Sequence, residues 1–367
     1  MSKERIKELA DFMLRAKYTY YNGELPDSIE PLTISDKVYD VYEAELRSLD
    51  SNHWILKVVG APQIQSEWKK AKHQIPMGSL NKVNSPSELI DWADTKDNKS
   101  WFITQKLDGI SIEIIYENGK LIQCITRGDS DIGEDITVNV IRMVGVNSDL
   151  QEDFSGSLRG EIIMLKSVLN KDFSDKANTR NAASGISKRL DGVGADKLNV
   201  MFYQVLGNVD FKTEVEQFIW LKDHKLEAPD YWVFKTIDEV NAHWRDYQDK
   251  ERDKLDYDID GLVVRISDMA KQMSLGDKDL RPLGAIAFKF DNEARETTLL
   301  GLEWQTGSSG RITPVAILEP VVLCGAEVKR ASLHNVKWVE ELGLYIGCKV
   351  LVSRRNDVIP YVEEKIS

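Results

Sequence analysis

The stretch that decides the reading is Thr104-Gln105-Lys106-Leu107-Asp108-Gly109. Trp101–Leu107 has the apolar and β-branched character of a strand, and Asp-Gly behind it is turn chemistry. A lysine at a strand end becomes a nucleophile when desolvation or nearby cations free its amine of the proton. A surface lysine ahead of a turn is the other reading, and six residues alone favour it. Outward from this point, Ser111–Glu117 alternates, with Ile112, Ile114 and Tyr116 on one face. Asn118-Gly119 is a hairpin signal and Leu121–Thr126 the returning strand. That hairpin carries Thr126-Arg127-Gly128-Asp129 back towards the lysine strand.

Further along stand four more stretches of the same kind. Arg159-Gly160-Glu161 precedes the apolar Ile162-Ile163-Met164, so its carboxylate sits at a strand end. Asn178–Gly185 has small residues that permit close approach and Arg180, whose fork suits phosphate. Asp258-Ile259-Asp260-Gly261-Leu262-Val263-Val264-Arg265 sets two carboxylates before an apolar strand with a guanidinium at its far end. Ala287-Phe288-Lys289-Phe290 places a lysine between aromatics, which is costly unless the charge is paired. Each stretch alone has an ordinary structural reading.

The flanking regions differ in texture. Ile6, Leu9, Met13, Ala16 and Tyr20 mark a helix over 3–21, and Val38, Tyr39, Tyr42 and Leu46 a second over 36–49. Capping boxes begin at Ser85, Thr213 and Thr236. Strands and helices alternate irregularly through the middle, as in an α+β domain. After Gly301, short β-like runs punctuated by glycine suit a small β-barrel. The expected division is a helical domain over 1–68, an α+β domain over 69–300 and a barrel over 301–367.

The length, 367 residues, allows two or three domains. With 48 Lys+Arg against 60 Asp+Glu the formal charge is −12, which does not point to nucleic acid but hides local patches. No apolar run is long enough to span a bilayer, and the amino terminus lacks a signal peptide's apolar core. Cys124, Cys324 and Cys348 are far apart, so neither a disulfide framework nor a zinc site is expected, and the cytoplasm is the simplest compartment.

The order of the motifs is more informative than any one of them. Lys-x-Asp-Gly, Arg-Gly-Asp, Arg-Gly-Glu, Asp-Gly-x-Val-x-Arg and Phe-Lys-Phe together resemble the covalent nucleotidyltransferases: DNA ligases, RNA ligases and capping enzymes. Tyr20-Tyr21 and Asp36-Lys37-Val38-Tyr39-Asp40 look like the nicotinamide-recognising domain of NAD-dependent DNA ligases. Pro76–Leu80, Thr126–Asn139, Asn181–Leu190, Ile312–Ala316 and Leu333-His334-Asn335 resemble that family too.

The resemblance implies a nucleotidyltransferase domain followed by an OB-fold barrel, and sealing of DNA nicks through a lysyl-AMP made from NAD. It assigns Lys106 as nucleophile and Asp108 to positioning the lysine and the ribose. Glu161 and Asp260 would hold hydrated magnesium (or manganese) or the ribose. Arg265 and Lys289 would neutralise the phosphate. Arg127 and Arg180 would serve the adenylate, Tyr203 would stack on adenine, and Ser79 and Leu80 would line its site. Tyr20, Tyr21, Asp36, Lys37, Val38, Tyr39 and Asp40 would hold the nicotinamide mononucleotide half. For Tyr42, helix packing is an equal reading.

Several positions depart from the family pattern. Thr104 stands where a Glu is usual, Arg265 and Tyr21 replace Lys and His, and Lys188 replaces Arg. The family's later zinc, helix-hairpin-helix and BRCT modules are not in this sequence. The implied picture is a divergent bacterial or phage-type member without zinc, its barrel short of a final strand. Nicked duplex DNA would be its partner; either the sequence is a piece of a longer chain or a second polypeptide brings the missing modules, the chain being otherwise monomeric. Arg311, Lys329, Arg330, Arg354 and Arg355 are the barrel cations expected to meet DNA phosphate. An ATP-dependent ligase or capping-type enzyme, and a non-catalytic DNA-binding subunit, are the alternatives.

Overall fold

The computed structural model describes residues 2–21, 32, 34, 36–51, 53–56, 68–150, 153–176, 178–290, 294–306, 312–323, 326–333, 336–355 and 359–366. The chain divides into two compact units, Met1–Phe290 and Asp291–Ser367. The helical segment expected as a domain over 1–68 therefore falls into one unit with the α+β region.

Helices α1 (Ser2–Tyr21) and α2 (Asp36–Leu49) follow the expected apolar stripes. Leu9, Met13, Leu46 and Ile55 are fully buried between them. Burial of such side chains contributes about 1.5–3 kcal/mol each. The Tyr42 ring stacks on Phe12 with centroids 4.0 Å apart, so its place is in this packing.

In the α+β region the strands of the two larger sheets are β1 (Asn81–Val83), β2 (Trp101–Leu107), β3 (Ile110–Glu117), β4 (Lys120–Thr126), β5 (Gly156–Ile163), β6 (Asn199–Gly207), β7 (Tyr231–Phe234), β8 (Ile259–Ile266) and β9 (Ala285–Lys289). One sheet has the order β1-β9-β8-β2-β7 and the other β4-β3-β5-β6. Each covers its own apolar core. The β3–β4 hairpin turns at Asn118 and Gly119 with φ of 47° and 75°, the left-handed pair that such a turn requires.

The two sheets are joined by β2 and β3, which are consecutive in the chain. Asp108-Gly109 is the whole connection, so the nucleophile motif sits where the chain leaves one sheet and enters the other. A Cβ at Gly109 would lie 2.1 Å from the Ile162 carbonyl oxygen, so only glycine fits there. The helices α3 (Pro86–Asp94), α4 (Thr179–Ser187), α5 (Glu214–Asp223) and α6 (Ile237–Asp246) open on Ser85, Asn178, Thr213 and Thr236, whose side chains accept from backbone N–H groups of the first turn.

The second unit is a closed barrel of β10 (Ala294–Thr306), β11 (Ile312–Leu323), β12 (Ala326–Ser332), β13 (Lys349–Arg355) and β14 (Ile359–Lys365) in the order β10-β11-β12-β14-β13. Two expectations are corrected here. The barrel opens ahead of the 300/301 boundary, because Ala294–Thr298 already pairs with β13. Nor does the barrel lack a last strand: β14 pairs with β13 and meets β12 at Ser332–Tyr361, which completes the circle.

Candidate active site

A cavity of about 910 Å³ in the first unit gathers most of the sequence-derived candidates. Lys106, Arg127, Glu161, Arg180 and Lys289 line it, as do Ser79, Leu80, Tyr203, Tyr39 and Asp40. The ladder between β2 and β8 puts Lys106 opposite Gly261, and that between β8 and β9 puts Lys289 opposite the same glycine. Three strands thus aim both lysines at one carboxylate. Asp260 Oδ2 accepts from Lys106 Nζ at 2.9 Å and from Lys289 Nζ at 2.5 Å. Burial alone would raise the Asp260 pKa, but the two ammonium groups outweigh it and hold the carboxyl well below the usual range.

Glu161 is pushed the other way. Burial raises its pKa, against the opposing pull of Arg180, Arg127 and Lys106, while Ser111 Oγ donates to Oε2 at 2.9 Å. Asp108 does not contact the lysine as expected. Its Oδ1 accepts from Arg180 Nη1 at 2.5 Å, which fixes the guanidinium at the cavity wall, and Asp260 takes the lysine-holding role. Tyr203 is the extra residue of a β-bulge, since Arg159 pairs with Gln204 and Gly160 with Phe202. The bulge aims its ring into the cavity, and burial, reinforced by Glu161, raises the phenol pKa.

Arg265 lies elsewhere. It is opposite Phe102, four positions along β8 from Gly261, which is roughly 13 Å. Its Nη1 donates to Thr104 Oγ1 at 3.3 Å, and its Nε is 3.9 Å from Glu214 Oε1. The geometry gives this residue to the far end of the cavity and not to the lysine end.

Asp40 on α2 lines the cavity and pairs with Lys82 Nζ at 2.6 Å. Val38 is half-buried on the same helix but does not line the cavity. The side chains of Tyr20, Tyr21, Asp36 and Lys37 lie outside the described residues. So do Arg311 and the side chains of Arg354 and Arg355 in the barrel. Lys329 and Arg330 are exposed there and pair with Glu327 and Glu303, each at 2.5 Å.

Among the described residues no three His, Cys, Asp or Glu side chains converge as a metal-ligand set. The resemblance implies a magnesium held through its water by Glu161 and Asp260, and Asp260 faces two ammonium groups here.

Two groups of residues were not legible in the sequence. Glu113 is fully buried, with His73 Nδ1 at 2.5 Å and Arg159 Nε at 3.8 Å. His73 Nε2 lies 3.2 Å from the carbonyls of Thr126 and Arg127, so both ring nitrogens face acceptors. Arg159 Nη2 donates to Ile75 and Pro76 oxygens at 2.6 and 3.2 Å, which fastens the segment carrying Ser79 and Leu80. The other group is Glu214, Gln217 and Gln272, which line the far end of the cavity. Its signal is on α5, where Glu214 and Gln217 share the buried stripe with Phe218 and Leu221.

Comparison with known proteins follows the same lines. A family model described as the NAD-dependent DNA ligase adenylation domain matches residues 65–293, and one described as the NAD-dependent DNA ligase OB-fold domain matches 296–367. A DNA ligase of Sorangium cellulosum is 44% identical, covering 99% of this chain and 56% of the relative. DNA ligases of Treponema denticola and Treponema pallidum are 37% and 34% identical, covering 99% and 100% of this chain and 57% and 45% of theirs. The chain spans about half the length of these curated relatives. A solved Lig E DNA ligase structure is 11% identical and aligns at a TM-score of 0.43, covering 79% of this chain and 100% of its own. With more than half of its residues inside the adenylation model, and with the lysine, its acid partner and the second lysine joined at one cavity end, the chain belongs to the NAD-dependent DNA ligase family.

Proposed function

We propose that this chain takes the adenylyl group of NAD onto Lys106, and that the AMP then passes to the 5′-phosphate of a nick in duplex DNA. The observation that carries the reading is the Lys106–Asp260–Lys289 cluster at the end of a cavity large enough for a nucleotide. In the first step Lys106 Nζ, its ammonium proton released to solvent, bonds to the adenylyl phosphorus and sheds a second proton as the N–P bond forms. The bond from that phosphorus to the bridging oxygen breaks, and nicotinamide mononucleotide leaves with the electron pair. Asp260 holds the amine in place. Lys289, Arg127 and Arg180 stand where charge develops on the phosphate, and such electrostatics carry most of phosphoryl transfer. Glu161 would serve the ribose side, Asp108 would act there through Arg180, and magnesium or manganese would arrive with the phosphates. Tyr39 and Asp40, lining the same cavity from α2, are the reason to prefer NAD over ATP as donor.

In the later steps the 3′-hydroxyl of the nick attacks and AMP is released, with the barrel cations Lys329 and Arg330 among the groups meeting DNA. No helix among the described residues is long and apolar enough to cross a membrane. The bacterial cytoplasm, where both NAD and DNA are present, is the compartment we propose. Mass spectrometry after incubation with NAD and a divalent cation tests the reading. An AMP adduct on the wild type, absent from Lys106→Ala, is expected. Labelling by ATP in place of NAD overturns it.

A further inference from the structure

The cavity has a second polar end that the adenylyl-transfer chemistry does not use. Thr104 and Glu214 are 1% and 4% exposed, yet both line it. Thr104 Oγ1 accepts from Arg265 Nη1 and offers a neutral hydroxyl only. Glu214 is set differently. Its Oε2 accepts from Gln217 Nε2 at 2.9 Å and its Oε1 from Gln272 Nε2 at 2.6 Å. Gln217 cannot turn round, because its Oε1 accepts from Val205 N–H at 2.6 Å. Two neutral amides therefore orient the carboxylate, and the nearest cation, Arg265 Nε, stays at 3.9 Å.

A carboxylate has about four acceptor directions and a guanidinium five donors. Two of the first and one of the second are taken up here. This end thus presents an acceptor beside a donor, with the Val263 and Tyr203 side chains among the cavity walls between it and Lys106. A flat heterocycle with an amine next to a bare ring nitrogen matches that pair, and adenine has that edge.

We infer that Glu214 is the base-specificity residue of this enzyme, accepting from the exocyclic amine of the purine while Arg265 donates to the adjacent ring nitrogen. The inference rests on the adenylation reading above. It places the discriminating carboxylate on α5 and not on β2, where Thr104 occupies the matching position. Loss of the carboxylate leaves the lysine end intact, so it alters affinity and choice of base but not the covalent step.

The test compares NAD with nicotinamide hypoxanthine dinucleotide, in which a carbonyl oxygen replaces the amine. Self-adenylation kinetics are measured on the full chain as wild type, Glu214→Gln and Glu214→Asp. The wild type is expected to prefer NAD by about 10- to 100-fold in kcat/KM, the range of a hydrogen bond to a charged group. The difference should lie in KM. Glu214→Gln should narrow the ratio, since an amide donates to the carbonyl while the N1–H of hypoxanthine still faces Arg265, and Glu214→Asp should keep the preference. The ratio of two substrates in one sample is independent of how much protein is folded. An adduct formed by the wild type with a ratio unchanged in Glu214→Gln sinks this inference alone. A wild type that forms no adduct from NAD sinks the adenylation reading and this inference with it.

Discussion

The two ends of the cavity solve different problems with different chemistry. At the lysine end, Asp260 and Lys289 compensate charge directly, and the groups come from β2, β8 and β9 in one hydrogen-bonded ladder. At the far end, Glu214 is held chiefly by neutral amides from α5 and from Gln272. Charge paired with charge suits a site where a phosphate must be neutralised and a bond made. A charge held by dipoles keeps its accepting capacity for a ligand. The lysines come from β2 and β9 and Glu214 from α5, and Arg265 stands about 13 Å along β8 from the glycine that faces both lysines.

The comparison breaks first at the lysine end. Lys106→Ala should abolish adduct formation altogether, read by mass spectrometry, while leaving the fold intact by circular dichroism. Asp260→Asn should lower the adenylation rate by roughly 10²–10³, the scale of losing one preorganised electrostatic partner, with little change in KM for NAD. If KM rises and kcat holds, Asp260 binds and does not orient.

The two carboxylates at this end are also shifted in opposite directions. Glu161, raised by burial, is the group expected to limit activity as pH falls. Glu161→Gln should lower the plateau and remove that acid limb. Asp260 stays ionised through the same window.

A third measurement separates both ends from the scaffold. Removing one partner from the buried His73–Glu113–Arg159 group by Glu113→Gln should cost about 3–5 kcal/mol in unfolding experiments. Burial alone would raise the Glu113 carboxyl, but His73, Ser157 and Arg159 outweigh it and hold the group below its ordinary 4.5. Its stabilisation is therefore complete above that value and is lost as pH falls below it. Wild type should lose stability there and the variant should not.

The smallest effect belongs to the barrel. Arg330→Glu should weaken nick binding a few-fold, reduce its salt slope by about one, and spare adduct formation. An unchanged slope would remove Arg330 from the DNA contact.

How much of this was legible depended on distance along the chain. Lys106, Glu161, Asp260 and Lys289 were found because each sits in a short local pattern, and strand pairing did the rest. Glu214 was hidden because the cap signature at Thr213 and Glu216 explained its neighbourhood, and its partners Gln272 and Arg265 are far away in sequence. His73, Glu113 and Arg159 lie on separate strands and loops, and no local pattern announces a buried ion group assembled from them.

Arg265 was legible as a cation but not as to place. The end it serves follows from register, which a motif does not contain. The barrel was recognised from its short runs and glycines. Its closure was not, because β11 runs through Pro314 and Pro320 with a register shift between Ile317 and Val321, and the pairing of Ser332 with Tyr361 is a tertiary event.

The glycine between the two sheets has a mechanical consequence. With the Ile162 carbonyl oxygen only 2.1 Å from where a Cβ would stand, the chain crosses from one sheet to the other without slack. The backbone of Lys106 is therefore stiff with respect to both sheets. Under the function proposed above, successive reactions with differently directed bonds would not be served by swinging that backbone. The turning has to be done by the lysine's own four-carbon arm and by the nucleotide, while the peptide beneath them acts as a fixed pivot.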